Sequence, residues 1–145
     1  MPRPLPWRLD PARYPHRCAV QTRFQDLDVL GHLNNVAFAA LFETARTKFN
    51  WEAELWGERF SGRRAVVAAQ EIHYLAEGTY PEDVEVATGI GHVGNRSWTI
   101  LAAMFQGGRP IATGDVAIVM DAGGDGTGMP DAFRGRLEEL RVRES

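Results

Sequence analysis

Two carboxylates stand just ahead of a stretch that reads as a helix start, in Arg23-Phe-Gln-Asp26-Leu-Asp28-Val-Leu-Gly31-His32-Leu-Asn34-Asn35. Asn34 and Asn35 are good N-cap residues, and a helix start carries unpaired backbone N–H groups and the positive end of the helix dipole. Such a terminus favours a developing negative charge. A carboxylate beside it therefore supplies complementary parts of an acyl-transfer site: a nucleophile or base, and an oxyanion donor. The same residues have an architectural reading, in which Asp26 and Asp28 organise a turn and the asparagines cap the helix. Residue types alone do not choose between the two.

Other chemistries find weaker support. Gly89-Ile-Gly-His-Val-Gly94 matches the dinucleotide fingerprint G-x-G-x-x-G, but that motif needs a helix next to carry the pyrophosphate. Asn95-Arg-Ser-Trp-Thr-Ile-Leu reads as a strand, so hairpin glycines are expected. The loop from Asp121 to Asp125 has Gly123 at its third position and no closing Glu, so it fails as a calcium loop. His16, His32, His73 and His92 show no i, i+4 pairing, and no metal site is expected. Cys18 falls mid-strand, where an inert buried thiol is expected rather than a nucleophile. No G-x-S-x-G elbow occurs.

The elements that must position Asp28 follow from periodicity. Five prolines, at positions 2, 4, 6, 11 and 15, make residues 1–15 an arm. Alternation over 17–24 suggests a strand. After the cap, Phe38, Leu41 or Phe42, Ala45, Phe49 and Trp56 form the apolar stripe of a helix running to about Trp56. Its first two turns are apolar on every side, which predicts burial all round there. Beyond residue 62 the period becomes 2, and runs beginning at Val66, Val84, Trp98 and Ile111 predict four strands joined as antiparallel hairpins. Phe133, Leu137 and Leu140 predict a short surface helix near the C-terminus. The expected organisation is an arm over 1–15, one domain over 16–121, and a glycine-rich loop with a short helix over 122–145.

Composition bounds the rest. The 145 residues are 44% hydrophobic and 24% charged, the balance of a globular domain. A net charge of −3 offers no footprint for a phosphate backbone, so nucleic acid is not an expected partner. No run approaches the ~20 apolar residues of a membrane span, and no secretory core is visible. One cysteine permits a reducing compartment, and a cytoplasmic protein is expected.

The pattern D-x-D-x-x-G-H-x-N-N, followed by Phe38 and by Glu43-Thr-Ala-Arg46, resembles the 4-hydroxybenzoyl-CoA thioesterase branch of the hotdog-fold acyl-CoA thioesterases. The resemblance is specific over about residues 17–50 and rests on strand pattern to about residue 121. It implies an α+β hotdog fold, a long central helix wrapped by a curved antiparallel sheet, with hydrolysis of an acyl-CoA thioester as the activity. Asp28 falls at the catalytic aspartate, as nucleophile or general base. Asn35 falls where a backbone N–H binds the thioester oxygen. Gly31 would let the backbone turn close to the acyl chain, while His32 and Asn34 would shape the pocket or fix the loop. Arg96 and Ser97 match an Arg-Ser pair that would contact the pantetheine or phosphates of CoA. Coenzyme A enters as part of the substrate, and no cofactor is expected.

Two positions depart from the pattern. Phe38 stands where the family usually has tyrosine, so that hydroxyl is absent from a position counted with the substrate-binding residues. Glu43 lies eight residues after Asn35, about 12 Å along a helix, which resembles the catalytic glutamate of the other hotdog branch. Glu43 is thus a rival carboxylate, its other reading being an i, i+3 pair with Arg46. A non-catalytic acyl-CoA or acyl-carrier binding protein is the alternative function, and a hydratase on the same fold is a third. Exposed edge strands predict a homodimer, or a dimer of dimers, with the site shared between protomers as the resemblance implies.

Overall fold

The computed structural model describes residues 3–55, 64–121 and 128–144. A five-residue strand β1 (His16–Val20) leads into the polar loop and then helix α1 (Asn35–Glu52). Four longer strands follow, β2 (Arg64–Tyr74), β3 (Val84–Val93), β4 (Ser97–Gln106) and β5 (Arg109–Asp121), and α2 (Asp131–Glu139) closes the chain. This is the expected α+β hotdog arrangement: one antiparallel five-stranded sheet around a long helix.

The strand order is β1-β3-β4-β5-β2. The hairpins β3–β4 and β4–β5 form as expected, with Ile90 opposite Ile100 and Ile100 opposite Val116. The expected β2–β3 hairpin does not form. β2 pairs with β5, Tyr74 lying opposite Ala112, and β3 takes β1 as its other neighbour. The connection over 75–83 therefore crosses an end of the sheet. Residues Gly78 to Pro81 end the β2 pattern as read, but the N–H groups of Leu75 and Ala76 bind the carbonyl of Ile111, which holds the chain against β5.

Asn34 starts α1 by accepting the Ala37 N–H on its side-chain oxygen at 2.7 Å. Ala37, Phe38, Leu41, Phe42, Ala45 and Phe49 are buried, so one stripe of α1 faces the sheet. The expected burial all round the first two turns is corrected: Val36 is 79% exposed and Ala40 is also exposed, because the sheet covers one side only. The helix ends at Glu52, ahead of the predicted end, where Glu54 adopts φ 59° and breaks the helical path. Trp56 and most of the glycine-rich loop, residues 122–127, lie outside the described residues.

The core forms two groups along the helix. The start of α1 packs its Phe38 and Leu41 with Val84, Met104 and Ile111. The end packs Phe49 and Ala53 with Ile90, Trp98, Ile118 and the α2 residues Phe133 and Leu137. Truncating a fully buried Phe such as Phe49 costs about 3–5 kcal/mol in cores of this kind. The other sheet face is covered in part by the N-terminal arm, whose Tyr14 packs with Ala87, Ala103 and Phe105 and which forms two short 3-10 turns with proline at their first positions. Arg8 anchors it with two hydrogen bonds to the Asp115 carboxylate, at 2.6 and 3.0 Å, and a third to the Tyr14 hydroxyl. Beyond β1 the C-terminal residues continue that edge, Ile90 exchanging backbone bonds with Leu140 and Val142. Among the described residues β2 is left as the long uncovered edge, with Val66 and Val67 about half exposed.

Candidate functional site

The loop between β1 and α1 folds back on itself as a narrow ribbon. The Asn34 N–H binds the Asp26 carbonyl, Leu27 and Leu33 form a bridge, and the Asp28 N–H binds the His32 carbonyl at 2.8 Å. Asp28 to Gly31 close the tip through a 3.1 Å bond from the Gly31 N–H to the Asp28 carbonyl. Gly31 sits at φ 82°, the left-handed conformation that a three-residue hairpin loop needs at this place. No atom lies within 4 Å of where its Cβ would be, so dihedral freedom and not close packing requires glycine here.

Asp28 is exposed, and its Oδ1 accepts the N–H of Leu30 at 2.9 Å and of His32 at 3.2 Å. Both bonds fall on one oxygen, which leaves Oδ2 for a water or a substrate carbon. Two residues, about 7 Å of extended chain, separate Asp28 from the rung that ends on Asn34. Asn34 caps Ala37, so the N–H groups of Asn35 and Val36 at the first positions of α1 remain without an intrahelical partner. They are the donors at the positive end of the dipole. The two aspartates separate in role. Asp26 is buried, accepts the backbone and guanidinium of Arg23 at 2.9 Å, and is consumed by the ribbon.

The remaining predicted residues divide into near and far. His32 is half-buried and pairs through Nε2 with Glu77 at 3.0 Å. Phe38 is a core residue, 3% exposed, with its ring edge-on to Tyr74 at 5.1 Å between centroids; it faces the sheet and not a cavity. Glu43 is exposed and lies 3.8 Å from Arg46, the i, i+3 pair weighed against a catalytic role. Burial pulls the Arg46 guanidinium below its ordinary value, and the Glu43 charge opposes that pull. Both border a cavity of about 230 Å³ between α1 and β2, walled by Leu55, Val67, Trp98 and Ile118.

Arg96 lies in the turn between β3 and β4 and Ser97 opens β4, where the Met120 N–H binds the Arg96 carbonyl. That turn belongs to the end of the sheet that packs on the end of α1, whereas Asp28 belongs to the helix start. One chain brings together Asp28, Gly31, His32, Asn34 and the N–H of Asn35, and does not bring Arg96 or Ser97 to them. Among the described residues no group of three or more His, Cys, Asp or Glu is arranged to hold a metal ion. No helix among them is long and apolar enough to cross a membrane. The G-x-G-x-x-G match places Gly89 and Gly91 in β3 and Gly94 in the following turn, with a strand next and no helix, as expected of hairpin glycines. Glu77 was not legible as a site residue; only Gly78 beside it carried a signal, and as a strand terminator.

Comparison with known proteins gives consistent results. The profile of the thioesterase-like superfamily matches residues 22–137. YsmA, an uncharacterised protein of Bacillus subtilis strain 168, is 30% identical over 102 residues, which are 69% of this chain and 68% of YsmA. A Thermus thermophilus thioesterase solved with coenzyme A and zinc is 31% identical, with TM-score 0.75 over 88% of this chain and 95% of its own. A predicted thioesterase from Bacillus stearothermophilus is 28% identical, with TM-score 0.74 over 89% and 98%.

Proposed function

Because the chain belongs to the thioesterase-like superfamily, we propose that it hydrolyses the thioester bond of an acyl-CoA, with Asp28 as the reactive carboxylate. The observation that carries the assignment is the placement of Asp28. Its Oδ1 is held by two N–H groups and its Oδ2 is open, in the turn that leads directly into two unpartnered N–H groups of a helix start. As general base, Oδ2 takes a proton from water, and the water oxygen adds to the thioester carbon. As nucleophile, Oδ2 adds to that carbon itself and gives a mixed anhydride that water then opens. Either route places negative charge on the thioester oxygen, which the N–H of Asn35 would receive, and collapse of that adduct breaks the C–S bond and releases CoA as a thiolate that takes a proton. In the nucleophilic route this precedes the opening of the anhydride, which frees the acid and restores Asp28.

The partner we propose is a second copy of this chain. β2 is eleven residues long, uncovered among the described residues, and carries exposed Val66 and Val67, an edge that antiparallel pairing with its copy would close. A two-fold axis through that edge reverses the sheet. Arg96 in its turn, Ser97 at the start of β4 and the 230 Å³ cavity would then lie at the same end as the partner's Asp28 ribbon. Acyl chain and CoA phosphates would thus meet one protomer while the carboxylate comes from the other.

A panel of acyl-CoA substrates read by thiol release tests the activity: turnover of at least one member is expected. Binding without turnover across the panel would favour a carrier of acyl-CoA or acyl-carrier conjugates instead. Light scattering tests the assembly, and a 16.1 kDa monomer would overturn it.

A further inference from the structure

The Asp28 ribbon has little of its own to hold it. Val29 is fully exposed at 102% and Leu30 is 76% exposed, so the tip buries no apolar anchor. Among the described residues, the His32 ring on Glu77 is the one hydrogen bond or ion pair that ties residues 28–32 to another element. The geometry points to Glu77 as a positioning residue for Asp28, acting through His32, an inference that rests on Asp28 being the reactive carboxylate.

Glu77 is delivered by a rigid strap. Leu75 and Ala76 donate to the Ile111 carbonyl at 2.9 and 3.2 Å, and an Arg109 guanidinium N–H donates to the Glu77 carbonyl at 3.1 Å. The next residue, Gly78, accepts the Leu33 N–H at 2.9 Å. A Cβ at Gly78 would lie 2.5 Å from Leu33 Cδ1, so a larger residue there would have to push the Leu33 side chain aside. The sheet therefore holds the strap, and the strap holds both Leu33 and the His32 ring. His32 in turn makes two backbone bonds to Asp28, its carbonyl accepting the Asp28 N–H and its N–H donating to Oδ1. Fixing the ring limits rotation of a residue whose peptide groups, together with the Leu30 N–H, orient the carboxylate. Glu77 touches no reacting atom.

The pair is partly exposed, 35% for the His32 side chain and 71% for Glu77, so its effect is bounded at about two- to fivefold. The test compares Glu77→Ala and Glu77→Gln with the full-length protein. It reads kcat and KM on whichever acyl-CoA is turned over, thermal unfolding, and amide hydrogen exchange at Leu30 and His32. In Glu77→Ala, kcat is expected to fall about two- to fivefold with KM little changed and Tm within about 4 °C. Exchange at both amides should quicken by a similar factor without substrate. Glu77→Gln keeps an oxygen facing the His32 ring but not the charge of the 3.0 Å pair, so it should recover only part of the loss. In a His32→Ala background, Glu77→Ala should add nothing further. Unchanged exchange at both amides overturns the link whatever the enzyme does. Quickened exchange with unchanged kcat overturns the positioning role. Failure of the Asp28 assignment itself reads out separately, as full activity in Asp28→Asn.

Discussion

Asp28 and His32 are bonded to each other twice: the Asp28 N–H donates to the His32 carbonyl at 2.8 Å, and the His32 N–H donates to Asp28 Oδ1 at 3.2 Å. The carboxylate thus helps to build the turn that displays it. The architectural and the catalytic readings of Asp28 are compatible, because the turn uses one carboxylate oxygen and the chemistry needs the other.

Asp28→Asn should separate those two uses. Its side-chain oxygen can still accept from Leu30 and His32, so Tm is expected to stay close to the parent, while thioester hydrolysis falls about 10²-fold or more. Glu43→Gln, at an exposed pair 3.8 Å from Arg46, should change turnover less than about threefold. The reverse ranking in a thiol-release assay would hand the reaction to Glu43. Label from H₂¹⁸O entering the Asp28 carboxylate over successive turnovers would mark the nucleophilic route.

Gly31→Ala places a Cβ into open space but at φ 82°. The cost is conformational alone, about 1–2 kcal/mol. Denaturant unfolding should show a drop of that size. Gly31→Asn, which tolerates this region better, should lose less.

Asn34→Ala removes the 2.7 Å cap on Ala37, with an expected loss of about 1 kcal/mol in the same measurement. Asn34→Asp keeps an acceptor at the cap and should hold stability near the parent. It also brings a negative charge to the N–H groups of Asn35 and Val36, so kcat is expected to fall even where the fold does not.

Cys18 is half-buried on β1, and burial pushes its thiol up from the ordinary value. Lys48 opposes that rise, while Glu52 and Glu85 add to it. A raised pKa means less thiolate at pH 8 than in an unfolded chain, so iodoacetamide should label the native protein more slowly than the protein in denaturant. The native rate should keep climbing with pH beyond the ordinary thiol range near about 8.5. Equal rates in the two states at pH 8 would contradict this.

The features legible in the sequence are those made between near neighbours. The Asn34 cap and the Asp28 turn depend on bonds spanning a few residues, and the strands show as period-2 alternation within one segment, all of which residue type and spacing specify directly. The tertiary structure alone decided that β2 joins β5, that α1 is covered on one side, that Phe38 is core, and that Arg96 and Ser97 stand at the far end of the sheet from Asp28. It also decided that Glu77, 45 positions beyond His32, lies against it. Pairing across such separations is settled by which faces bury together once the sheet has formed, and alternation along one strand is compatible with several neighbours.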